Sequence, residues 1–77
     1  NQDDLRVIAF TTMSTIYLDG LEDYAKARKS AIKAIELDVH NVDLYILMAE
    51  IDLASGNISD AVQAIDAALE MDPGSVE

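Results

Sequence analysis

Ala-Ile-Glu-Leu-Asp at 34–38 returns as Ala-Leu-Glu-Met-Asp at 68–72, 34 residues later. A self-match at a fixed period of this length indicates stacked copies of one supersecondary unit. The same offset relates Ala27 to Ala61 and Tyr24 to Ile58. Before Gly20 the offset becomes 35, as one extra loop residue in the first copy requires. It then relates Phe10 to Tyr45, Met13 to Met48 and Ser14 to Ala49. The chain divides into two copies, 7–41 and 42–75, within a single domain spanning 1–77.

Each copy is expected to be a pair of helices. Leu5, Ile8, Ala9, Met13, Ile16 and Tyr17 recur three or four apart, as do Ile58, Ala61, Ile65, Ala68 and Leu69. That spacing places them on one helical face. Turn signals at Asp19-Gly20, Val39-His40-Asn41, Ser55-Gly56-Asn57 and Asp72-Pro73-Gly74 separate the stretches. The pattern predicts helices at about 4–18, 23–37, 42–55 and 58–71. Asp3, Asp23, Asn41 and Asn57 are candidate N-caps. Gly20 and Gly56 are candidates for the left-handed residue that closes a helix. Short loops make sequential helices antiparallel neighbours. A plain four-helix bundle would explain the helices but not the self-match.

The unit resembles the tetratricopeptide repeat (TPR). That family's positions for an aromatic, Leu, Gly, Tyr, Ala, an aromatic, Ala and Pro hold Phe10, Met13, Ser14, Tyr17, Ala27, Ala31, Ala34 and Val39 in copy one. In copy two they hold Tyr45, Met48, Ala49, Asp52, Ala61, Ile65, Ala68 and Pro73. With the aromatic places read broadly as apolar, the departures by residue class are Val39, where proline is expected, and Asp52, a carboxylate where an aromatic is expected. The likeness covers nearly the whole chain. It implies an all-α fold, an α-solenoid of two antiparallel helix-turn-helix repeats. The residue types also make sense by themselves. Small side chains at Ser14, Ala27, Ala34, Ala49, Ala61 and Ala68 let helix axes approach, and large ones at Phe10, Met13, Tyr17, Tyr45 and Met48 fill the space beside them.

Charge narrows the partners. Fifteen acidic and five basic residues give a net charge of −10, and a polyanionic surface repels phosphates, so neither nucleic acid nor an anionic membrane is an expected partner. The imbalance is local: residues 1–41 hold all five bases with seven acids, and 42–77 hold eight acids and no base. A hydrophobic content of 51% argues against disorder. No apolar run approaches the ~18 residues of a membrane span, so no insertion is expected. Nothing addresses the chain to a compartment, and a soluble, cytoplasmic location is the default.

Catalytic and cofactor chemistry find little support. The chain has no cysteine, and its three glycines read as helix stops, not as a phosphate loop. His40 lies near Glu36, Asp38 and Asp43 in sequence, but in a turn where neighbouring side chains diverge, so an exposed histidine is expected and not a metal ligand. The serines have no histidine at an arranged spacing. No enzymatic activity, metal or cofactor is therefore expected.

What remains is binding. The resemblance implies a concave groove lined by the first helix of each copy, at Ile8, Thr11, Thr15 and Leu18 and at Asp43, Ile46, Glu50 and Leu53. In the family's chaperone-binding type, Lys, Asn and Arg hold a terminal carboxylate; here Thr11, Thr15, Ile46 and Glu50 stand at those places, so that clamp is not expected. The implied function is a protein–protein interaction module holding a peptide or helix with apolar and basic character. The alternative is a self-assembling scaffold unit. Two repeats fall below the three or so that stability usually requires, so flanking repeats of a longer array or another chain should cover the ends. Val62, Ile65 and Leu69 form the candidate stacking face, and Lys26, Lys29 and Lys33 a basic docking stripe that could meet the acidic second copy of another molecule.

Overall fold

The computed structural model describes residues 2–71; the Asp72-Pro73-Gly74 stop lies outside them. The described chain is four helices with no strand: α1 (Gln2–Thr15), α2 (Tyr24–Leu37), α3 (Val42–Ala54) and α4 (Ile58–Met71). A short π-turn, Ile16–Gly20, continues α1. Each helix packs on its neighbours in sequence, α1 on α2, α2 on α3 and α3 on α4, and α1 and α4 share no substantial packing. A closed bundle would bring the first and last helices together. This open order is that of a solenoid.

Local chemistry explains most of the boundaries. Asp23 caps α2, its carboxylate accepting the Lys26 N–H at 3.1 Å. Asn41 caps α3 through the Asp43 N–H at 3.1 Å. The Asn57 carbonyl accepts the Ala61 N–H, while its side-chain amide donates to Ser55 Oγ. Asp3 is not a cap, because α1 already starts at Gln2; it stands in the first turn with Asp4, where a carboxylate favours the positive end of the helix dipole.

The extra residue of copy one resides in the π-turn. The Asp23 N–H donates to the Tyr17 carbonyl at 2.8 Å, and the Asn57 N–H donates to the Asp52 carbonyl at the same distance. Tyr17 and Asp52 are equivalent, as are Asp23 and Asn57, so one closing bond spans six residues in copy one and five in copy two. The widened turn absorbs the insertion. Gly56 takes the expected left-handed conformation, with φ +86°. Gly20 does not: the left-handed residue of the first turn is Glu22, at φ 51°.

Small residues permit the packing. Ser14, Ala27, Ala34, Ala49, Ala61 and Ala68 are all buried. Ser14 also donates its hydroxyl to the Ala27 carbonyl at 2.8 Å, tying α1 to α2. The core cluster of Leu18, Ala27, Ala31, Met48 and Ile51 joins both copies, with Tyr17, Tyr24, Ile35, Leu47 and Ala64 around it. Among the large residues, Met48 is 7% exposed and its equivalent Met13 is 41% exposed. The same position in the repeat is covered by α2 in one copy and uncovered in the other.

Candidate functional site

The antiparallel pairs bring α1 and α3, the first helices of the two copies, to one side of the molecule. Between them runs an open hollow of about 440 Å³. Its apolar lining comes from Leu44, Leu47, Val7 and Ile8, with the hydroxyls of Thr11, Thr12 and Thr15 along α1. Asn41, Asp43 and Glu50 complete the wall on α3. Leu44 is 2% exposed and serves as a fixed floor. Asp43 and Glu50 are seven residues apart and so project on one side of α3.

Some of these polar groups are already occupied. The Thr15 hydroxyl donates to the Thr11 carbonyl at 3.0 Å. Asn41 accepts from Asp43 N–H through its side-chain oxygen and donates through its amide to Asp38 at 3.1 Å. The carboxylates of Asp43 and Glu50 have no cationic partner among the described residues. The hollow therefore offers uncompensated negative charge beside an apolar floor. Such a site favours a ligand with a cation next to an apolar group.

Of the residues expected in a groove, the fold brings together Ile8, Thr11, Thr15, Asp43 and Glu50. Leu18 is elsewhere: the chain folds back onto α2 there, and the side chain is enclosed in the core cluster. Ile46 and Leu53 also stay outside the hollow. They lie roughly a quarter to a third of a turn around α3 from Leu47, away from α1. Val7, Thr12, Leu44 and Leu47 line it instead. Family positions carried over one by one miss these residues, whereas the helical spacing of Leu44 and Leu47 could have suggested them. His40 is exposed in the α2–α3 turn.

The remaining candidates occupy other surfaces. Lys26, Lys29 and Lys33 line a separate hollow between α1 and α2 with Phe10, Met13, Tyr17 and Ser30. Lys26 stands over the Tyr17 ring at 5.8 Å and Lys33 over the Phe10 ring at 5.6 Å, within cation–π range. Val62 and Ile65 are exposed on α4, and Leu69 is half-buried.

Asp52, the departure from the repeat pattern, has a structural role that sequence reasoning missed. Its carboxylate is buried and meets the Arg28 guanidinium at 2.7 Å, while Asp60 approaches the same guanidinium at 3.6 Å. The pair crosses from α2 to α3 and so joins the two copies. Burial pushes the Asp52 carboxyl above the usual carboxylate range; Arg28 pulls it back down and Asp60 adds to the rise. An acid where an aromatic is expected, with a base 24 residues earlier, was the available signal.

No helix among the described residues is long and apolar enough to cross a membrane. No curated protein and no solved structure gives a significant match to the chain. A family model for the tetratricopeptide repeat matches residues 20–77, which takes in α2 and the whole second copy. Proteins of that kind are generally protein–protein interaction modules, typically without enzymatic activity. The match supplies the family, and the 35-residue offset with the open helix order extends it to α1: this chain is a member of the tetratricopeptide repeat family.

Proposed function

We propose that the α1–α3 hollow captures a basic, amphipathic segment of a partner protein, and that the chain acts by binding alone. The observation that carries this reading is the pair of uncompensated carboxylates, Asp43 and Glu50, above the Leu44–Leu47 floor. Apolar side chains of the ligand would rest against Val7, Leu44 and Leu47 and supply affinity. A lysine or arginine would face Asp43 and Glu50 and supply selection. The Thr11 and Thr12 hydroxyls remain for hydrogen bonds to the ligand backbone. A carboxylate-terminated ligand is disfavoured, since Thr11, Thr15, Ile46 and Glu50 offer no cation to it.

Two labelled peptides with one apolar pattern, one carrying lysines and the other glutamates at the polar positions, provide the test by fluorescence anisotropy. The basic peptide should bind and the acidic one should not. Glu50→Lys exchanges an attraction for a repulsion at the partly exposed wall, a change of about 1–2 kcal/mol, or about tenfold in Kd. Leu53→Ser, on the side of α3 turned away from α1, should leave binding unchanged. Equal affinity for both peptides would defeat the reading.

A further inference from the structure

The hollow between α1 and α2, about 240 Å³, has Phe10, Met13 and Tyr17 on one wall and Lys26, Lys29 and Lys33 on the other. Advancing the first three by 35 residues and the others by 34 gives Tyr45, Met48, Asp52, Asp60, Gln63 and Ala67. All six line a single hollow of about 220 Å³ between α3 and α4. The two hollows are therefore the same surface on successive repeats. In the second, α2 of the preceding repeat is the cover: Arg28 and Ile35 reach into it, and Arg28 pairs with Asp52 and Asp60. The first has no such cover among the described residues, and Met13 is left 41% exposed.

The chain itself carries a matching cover on α4. Val62, Ile65 and Leu69 stand 34 residues after Arg28, Ala31 and Ile35. Val62 is 52% exposed and Ile65 36%. The rigid relation that lays α2 on the α3–α4 surface would lay α4 of one molecule on the α1–α2 surface of another. The chemistry changes in step on both sides of that relation. Inside the chain a cation, Arg28, meets two carboxylates. Between chains an apolar residue, Val62, would meet the Tyr17 ring and the stem of Lys26, whose ammonium already rests over that ring. Neither arrangement buries an unpaired charge. The exchanged pairing is penalised, because α2 placed on the lysine-lined hollow would set Arg28 against Lys26.

We propose that this chain associates with a second copy head to tail, with α4 of one molecule seated in the α1–α2 hollow of the next. The joint shares no residue with the lining of the α1–α3 hollow. Charge complementarity favours the approach locally: Lys26, Lys29 and Lys33 line the α1–α2 hollow, whereas residues 42–77 hold eight acids with no base. The joint is heterologous, so each addition leaves both end faces open for another.

Sedimentation velocity on the 77-residue chain, from micromolar to about millimolar concentration, tests the joint. The mean mass should rise with concentration and fall with added salt, which screens the steering charges. Val62→Arg sets a guanidinium against Lys26 and should weaken association about tenfold or more. Adding Lys26→Asp to that variant reproduces the Arg28–Asp60 relation at the joint and should restore association. Both side chains are exposed, and circular dichroism checks that each variant keeps its helices. A wild-type chain monomeric at every concentration overturns the proposal. So does a Val62→Arg variant that associates as the wild type does, or one that Lys26→Asp fails to rescue.

Discussion

Arg28→Ala probes the contact that holds the two repeats in register. The substitution leaves the Asp52 carboxylate, with its side chain only 2% exposed, without its cation. Removing one partner of a fully buried pair costs about 3–5 kcal/mol, whereas a surface pair contributes about 0–1 kcal/mol. Arg28 is 39% exposed, so solvent already screens its side of the contact, and the expected loss at pH 7 is about 2 kcal/mol. At about 4–8 °C per kcal/mol for a domain of this size, the melting temperature should fall by about 8–16 °C.

The size of the loss depends on pH. Burial has raised the Asp52 carboxyl, so between the unfolded value near ~3.9 and the folded one the native chain holds more of the proton. Its contribution to stability is complete below the unfolded value and is lost as pH rises through the folded one. Without Arg28 the carboxyl rises further, and acidification neutralises it sooner. The deficit of Arg28→Ala relative to wild type should therefore shrink as pH is lowered from 7 to about 5. Thermal unfolding followed by circular dichroism at both pH values measures it. A loss below about 0.5 kcal/mol at pH 7 would show an ordinary surface pair. A deficit that grows on acidification would contradict the desolvation argument. Replacing both partners, Arg28→Val with Asp52→Tyr, copies the Val62 and Tyr17 chemistry and should cost less than Arg28→Ala, since no charge is stranded.

Gly56→Ala should cost about 1–2 kcal/mol, because an L-residue is forced to φ +86°. Gly20→Ala should instead stabilise by about 0.4–1 kcal/mol, since a Cβ there meets nothing within 4 Å and the backbone is not left-handed. Urea titration of the two variants should give midpoints shifted in opposite directions. Ser14→Ala removes the 2.8 Å bond to the Ala27 carbonyl and should cost about 1 kcal/mol. A larger loss by denaturant unfolding would point to altered packing, which Ala49 at the equivalent place argues against.

The helices were readable because their determinants are local. Apolar spacing, Asp23 and Asn41 as caps, and Gly56 as a stop act within a turn or two of chain. The π-turn was readable only as an extra residue. The repeat offset showed that copy one had to absorb it, but not that the backbone would widen at Ile16–Gly20 and place Glu22 in the left-handed region. In the hollow, Ile8, Thr11, Thr15, Asp43 and Glu50 are among the places that the family resemblance implies. Leu18, Ile46 and Leu53 could not be sorted from them in advance. Which of them faces α1, the core or solvent depends on how α3 is rotated against its neighbours.

By itself, then, the sequence determined that the chain is helical, that it repeats, and that its charge is divided unequally between the copies. Periodicity and composition carry those properties whatever the packing. Tertiary structure decided which copies of equivalent residues are covered. Met48 and Met13 occupy one position of the repeat, yet among the described residues only Met48 is covered by a helix of the preceding repeat. Asp52 and Tyr17 occupy another, and only beside Arg28 does a buried carboxylate become tolerable. Burial and charge pairing depend on the neighbour across the interface, and in a repeat chain that neighbour differs from one copy to the next.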